Sequence, residues 1–179
     1  RSSQWKIIRR LFIFPKVKSR QEKNAKACQS STINESLMNT FKIVFAGTPD
    51  FAVTHLQALI DAGMTVDAVL TRPDKPAGRG QKLQASPVKT LALSLGLPVH
   101  QPTTLKNQEA ISFITRFNAD VIIDVAYGVI IPKEILKIPR LGFVNVHPSL
   151  LPRWRGPAPI QHVLLAGDED TGVTIMKLD

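Results

Sequence analysis

One cysteine, Cys28, is all the thiol this chain carries, so no internal disulfide can form. No Cys/His cluster has the spacing of a zinc site, and no bound metal is expected. A reducing compartment is the natural reading. Aromatic residues make up only 6%, with a single tyrosine, Tyr127, so an aromatic stacking platform is not a general feature of the chain. Long apolar runs are missing too. The richest stretch holds Ile7, Ile8, Leu11, Phe12, Ile13 and Phe14, but Arg9 and Arg10 interrupt it and it is too short to cross a bilayer. No stretch has the form of a signal peptide, and no internal repeat is visible. The Gly-x-Gly-x-x-Gly fingerprint of dinucleotide binding is absent, which argues against NAD.

What is present is 179 residues at 44% apolar content, enough for one globular domain with a sizeable core. The formal charge of +9 suggests a nucleic-acid partner until its distribution is considered. Residues 1–40 hold nine Lys or Arg against two acids, whereas 41–179 hold fourteen against twelve. The basicity therefore belongs mainly to the first segment. Residues 1–37 read as a basic, disordered extension, polar and charged from 16 to 34. Because Met38 lies just before the first strand, the extension is read as translated upstream sequence or an expression remnant. A mitochondrial targeting segment and an RNA-binding tail are the rivals. The corresponding localisation is cytoplasmic, with the mitochondrial matrix as the alternative.

From residue 38 on, strand and helix patterns alternate. Lys42-Ile43-Val44-Phe45-Ala46 is a buried-strand run ending at Gly47. Thr48 is placed to cap a helix whose first position suits Pro49, with Phe51, His55, Leu56, Leu59 and Ile60 at helical spacing until Gly63. Further strands are expected at 65–71, 99–101, 120–126, up to His147, and 172–178. Helices are expected at 86–95, 109–117, 132–137 and 159–166, and 72–85 reads as a loop. This order predicts an α/β fold, a doubly wound, mostly parallel Rossmann-like sheet. In such sheets ligands bind outside the carboxyl ends of the strands, where Gly47, Gly128, Asn145 and His147 all fall.

The segment Asn145-Val146-His147-Pro148-Ser149-Leu150-Leu151-Pro152-Arg153-Trp154-Arg155-Gly156 stands out. Side chains two apart on a strand share a face, so Asn145 and His147 lie side by side. An amide donor beside an imidazole suits stabilisation of oxygen charge in acyl transfer. The rival reading is a satisfied structural histidine. His55, His100 and His162 read as structural or exposed. Asp124, alone in an apolar strand, would need partners or protonation.

Asn-x-His-x-Ser-Leu-Leu-Pro resembles the signature of the formyltransferases that use 10-formyltetrahydrofolate. The stretches 45–52, 72–80, 86–89, 126–128 and 151–156 narrow the resemblance to the branch acting on methionyl initiator tRNA. This implies that 38–179 is an N-terminal catalytic domain, a monomer without membrane association. It would move a formyl group from 10-formyltetrahydrofolate to the α-amine of methionyl-tRNA in translation initiation. By the family pattern Asn145 and His147 are catalytic oxygen-charge donors, with His147 also shuttling a proton. Ser149, Leu150, Leu151 and Pro152 match the folate-binding loop, and Tyr127 and Gly128 are pocket walls or a plain strand-end turn. Arg72, Lys75, Arg79 and Lys82 match a tRNA-gripping loop, with Arg79 at its key position. Arg153, Trp154 and Arg155 either add cationic and stacking surface or only pack the loop.

The chain also departs from the pattern. The resemblance implies a catalytic Asp after the last strand and a C-terminal tRNA-binding domain, so 38–179 reads as a truncated domain, incomplete at its C-terminus, with little activity alone. Pro148 stands where the tRNA enzymes usually have a smaller residue and their purine-pathway relatives have Pro. The alternatives are a glycinamide ribonucleotide transformylase, a formyl-folate hydrolase, or a non-catalytic folate- or RNA-binding module.

Overall fold

The apolar run beginning at Ile43 forms β1 (Ile43–Gly47), buried along its whole length, as a strand covered on both faces must be. The computed structural model describes residues 41–179, so the readings for residues 1–37, Cys28 among them, lie outside the described residues. After β1 come α1 (Asp50–Asp61), β2 (Val66–Leu70), a short hairpin β3 (Lys75–Ala77) and β4 (Lys82–Gln84), and α2 (Pro87–Ser94). Then follow β5 (Val99–His100), α3 (Gln108–Phe117), β6 (Val121–Val125), α4 (Lys133–Leu136), β7 (Phe143–His147), α5 (Pro159–Ala166) and β8 (Thr174–Lys177).

Six strands form one sheet in the order β5-β2-β1-β6-β7-β8. Every pairing is parallel except β7 with β8, which runs antiparallel at the edge. One face carries Val44, Ala68, Leu70, Ile122 and Phe143 under Ala110 and Ile114 of α3 and Ile135 of α4. Against the other face, α1 comes so close that a Cβ on Gly47 would lie 2.6 Å from the Phe45 ring and 2.8 Å from Ala52 Cβ. The sheet is thus wound on both faces, as expected. Replacing Gly47 by Ala should therefore cost about 1–3 kcal/mol through overpacking, read as a lowered Tm. An unchanged Tm would mean that α1 is not seated this tightly.

Local signals behaved unevenly. Ser86 caps α2 by accepting from the Lys89 N–H at 3.1 Å, and Asn107 caps α3 through Ala110 N at 3.0 Å. Thr48 does not cap α1. Its hydroxyl donates to the Tyr127 carbonyl at 2.8 Å, tying the end of β1 to the turn after β6. The stretch expected to be a plain loop contains the antiparallel β3–β4 hairpin. Its turn uses Gly78 and Gly80 at φ +69° and +100°, conformations that an L side chain resists.

Candidate functional site

Parallel strands deliver their carboxyl ends to one rim, where β6 and β7 bring three polar side chains onto a single face. Asn145 is paired across the sheet with Asp124 of β6 on one side and Met176 of β8 on the other. Residues in register on adjacent strands share a face, and so do residues two apart on one strand. Asp124, Asn145 and His147 therefore form a row, each half-buried. Sequence reading had singled out all three but had not joined Asp124 to the other two.

His147 is held by its ring. Nε2–H donates to the Trp154 carbonyl at 2.9 Å, because a carbonyl can only accept. In the neutral imidazole this leaves Nδ1 as a lone-pair acceptor. Only the imidazolium donates from both nitrogens. His147 opposes Thr174 of β8, whose hydroxyl donates to the Ser149 carbonyl at 2.7 Å and accepts from Leu151 N at 3.1 Å.

The loop after His147 is built from its own polar groups. Ser149 is fully buried, and its hydroxyl donates to the Arg153 carbonyl at 2.8 Å. That hydroxyl shapes the loop, whereas Leu150 and Pro152 are exposed and Leu151 is half-buried. Arg153 and Trp154 are engaged as well. Arg153 Nε and Nη2 donate to the two Asp168 oxygens at 2.8 and 2.7 Å, and Trp154 Nε1 donates to Asp168 at 2.6 Å. The indole stacks on His162, ring centroids 5.4 Å apart. Of the three residues at 153–155, Arg153 and Trp154 thus have partners within the loop and α5, while Arg155 is exposed.

Burial pushes the Asp124 carboxyl up to about 6, with the Tyr127 N–H, donating at 3.3 Å, pulling partly the other way. Burial, with Asp124 adding to it, also raises the Tyr127 phenol far above its usual value. The Tyr127 ring sits in the core cluster with its hydroxyl unpartnered, so its side chain belongs to the core. Gly128 instead borders a cleft of about 510 Å³ that is also lined by Arg72, Lys75, Lys106, Val129 and Ile130. This cleft joins Gly128 to two of the basic residues expected to grip RNA, rather than to Asn145.

The hairpin that carries Arg79 and Lys82 is rooted firmly and exposed at its tip. Lys89 Nζ pairs with Asp74 at 2.6 Å, and Gln101 Nε2 donates both to Asp74 at 2.7 Å and to the Arg72 carbonyl at 2.8 Å. Hydrogen bonds from Lys89 and Gln101 hold the Asp74 carboxyl below its usual range. Among the described residues no cluster of His, Cys, Asp and Glu could hold a metal, and no helix is long and apolar enough to cross a membrane. The remaining histidines are tied into packing. His55 donates to the Phe51 carbonyl at 2.7 Å, and His100 stacks on Phe113.

Residues 41–179 match the family described as formyl transferase. Solved structures with this architecture include phosphoribosylglycinamide formyltransferase from Bacillus halodurans, at 22% identity and TM-score 0.59, with 77% of this chain and 72% of that chain covered. Glycinamide ribonucleotide transformylase 1 from Geobacillus kaustophilus matches at 26% identity and TM-score 0.58, covering 77% of this chain and 73% of that one. A formyltetrahydrofolate deformylase from Pseudomonas syringae pv. tomato matches at 18% identity and TM-score 0.59, covering 80% of this chain but only 47% of that one.

Proposed function

The chain belongs to the formyl transferase family, and from that premise we propose that it serves transfer of a formyl group from 10-formyltetrahydrofolate to the α-amine of methionyl initiator tRNA. The observation that carries the chemistry is the pairing of Asn145 with His147 on one strand face, the imidazole fixed through Nε2–H. When bound, the folate supplies an electrophilic formyl carbon. The cleft bordered by Gly128, with Arg72, Lys75 and Lys106 around it, suits the phosphates of an acceptor end. The exposed Leu150 and Pro152 of the loop after His147 offer an apolar contact for the folate.

The Asn145 carboxamide donates to the formyl oxygen as negative charge develops there, an interaction worth about 2.7–4 kcal/mol in comparable sites. His147 takes the proton released by the attacking amine at Nδ1, its available lone pair. The resulting imidazolium then has an Nδ1–H with which to protonate the departing folate nitrogen. The bond between the formyl carbon and that nitrogen breaks as the new amide forms. Toward the substrate His147 therefore acts first as a base at Nδ1, and as a donor from that nitrogen only once protonated. His147 thus keeps the proton-shuttling role the resemblance implies, and the standing donor to the oxygen is Asn145.

What favours an RNA-linked amine is the hairpin, which holds Arg79 and Lys82 exposed above a rigid root. A phosphate-rich acceptor end would meet such a surface. The second reading, a glycinamide ribonucleotide acceptor, is favoured by Pro148 and by the names of the matched structures. The two are separated by supplying the full-length gene product with the formyl donor and each acceptor in turn. Transfer to charged initiator tRNA is expected; turnover only with the small amine, or only release of formate, overturns this reading. Arg79→Ala should raise the KM for tRNA about tenfold, as loss of a charged hydrogen bond does, and should lower the log–log salt slope by about 1. Folate binding should not change, and equal losses of both would remove the hairpin from acceptor recognition.

A further inference from the structure

Trp154 holds a backbone conformation that its bulk disfavours. Its φ of +58° lies in the left-handed region, at a cost of roughly 1–2 kcal/mol for a non-glycine residue. Its carbonyl meets the His147 Nε2–H at 2.9 Å. The preceding carbonyl, that of Arg153, is held by Ser149 at 2.8 Å. The side chains of Arg153 and Trp154 converge on one carboxylate. Asp168 receives the Arg153 guanidinium through both oxygens and the Trp154 indole N–H at 2.6 Å. The guanidinium carbon lies 4.3 Å from the Trp154 ring centre, and His162 stacks on the indole at an interplanar angle of 6°.

Asp168 is itself fixed. Its own N–H donates to Val163 at 3.1 Å as the chain leaves α5 through Gly167 at φ +67°. Its side chain is 17% exposed, against 59% for Arg153. Bonds from Arg153 and Trp154 hold its carboxyl at about 2, so it is ionised throughout the working pH range.

We infer that Asp168 is a positioning residue for the transfer reaction: through Trp154 it fixes the carbonyl that selects the Nε2–H tautomer of His147 and so leaves Nδ1 to accept the substrate proton. The inference rests on the functional reading above only for its kinetic consequence. Which ring nitrogen carries the proton is set by the hydrogen bond the other makes, so a carbonyl in a fixed place dictates the tautomer. Without Asp168 the pair at 153–154 loses three donor contacts, and the strain at Trp154 is no longer opposed. The Trp154 carbonyl is then free to turn away, and the ring samples both tautomers.

The test uses chain labelled with ¹⁵N-histidine, at a pH where the imidazoles are neutral, with the His147 signals assigned by their loss in His147→Gln. The wild-type chain should show one His147 nitrogen protonated, Nε2. Asp168→Ala should move both nitrogen shifts toward averaging. Trp154→Phe, which keeps the stack on His162 but loses the indole N–H, should do so in part, and Asp168→Glu should restore much of the wild-type pattern. In the full-length gene product Asp168→Ala should lower kcat about 10–100-fold, the range for loss of a group that orients a functional histidine, with KM for the formyl donor within about twofold. An unaltered tautomer in folded Asp168→Ala overturns the inference. If Asp168→Ala does not fold, an unaltered tautomer in Trp154→Phe overturns it instead. The tautomer is read without any acceptor, so a shift in a protein that transfers no formyl group would sink the functional reading and leave the positioning role standing.

Discussion

Truncating Asn145 to Ala should lower kcat for formyl transfer about 10²–10³-fold while KM for the formyl donor changes little. A donor aimed at charge that exists only during reaction contributes to the transition state and not to the bound ground state. The strand supplies the aim: Asn145 is flanked in register by Asp124 and Met176, so its backbone cannot drift without disturbing three strands. Loss of the side chain removes the donor and leaves that frame intact, so circular dichroism and Tm should stay near wild type. His147→Ala should cost a similar or larger factor, about 10²–10⁴. The double variant should lose little more than the worse single one, because both groups act in the same step. A loss confined to KM, or multiplying losses in the double variant, would mean that the two side chains bind substrate separately and share no step.

The sheet was legible in the sequence because its strands are buried on both faces and read as unbroken apolar runs, as in Ile43 to Ala46 and Val121 to Ile123. The rim proposed to carry the chemistry was legible for the same reason, since the carboxyl ends of the parallel strands, Gly47 and His147 among them, lie along it. The β3–β4 hairpin was hidden because it has no buried face: Lys75, Pro76, Lys82, Leu83 and Gln84 are all exposed, so no alternation was imposed on them. Thr48 looked like a helix cap, but a nearby carbonyl from a distant turn competed for its hydroxyl. The direction of β8 was equally unreadable, because the residues of an edge strand do not encode which way their neighbour runs.

At the site, spacing along one strand revealed the pairing of Asn145 with His147, whereas anything depending on register between strands or on loop packing stayed hidden. Asp124 was conspicuous as an acid in an apolar run, yet only the alignment of β6 with β7 puts it beside Asn145. Asp168 was overlooked altogether. Its one signal is a Gly-Asp pair after a helical pattern, and nothing in the sequence links that pair to Arg153 and Trp154, fifteen and fourteen residues earlier.

Asp124 yields the largest expected effect on stability. Burial raises its carboxyl from an ordinary value of 3.8 to about 6, so between those values the folded chain binds more protons than the unfolded one. Stability from this group is therefore fully present below about pH 4 and is lost as pH rises through about 6. At about 1.4 kcal/mol per pKa unit, the folded state at neutral pH gives up about 3 kcal/mol, an upper figure because burial is incomplete. Asp124→Asn keeps an acceptor for the Tyr127 N–H and never ionises. It should unfold about 5–10 °C higher than wild type at pH 8, yet nearly match it at pH 4, in paired thermal or denaturant unfolding. An equal gain at both pH values, or wild-type stability that rises between 4 and 6, would mean that Asp124 is solvated in the folded chain. The same substitution bears on the chemistry. An ionised carboxylate beside Asn145 opposes negative charge gathering on the formyl oxygen, so Asp124→Asn should transfer formyl at least as fast as wild type at pH 8. A more stable but slower enzyme would mean that the acid's charge is used in the reaction, as a proton acceptor alongside His147, and that its burial is a cost tied to function.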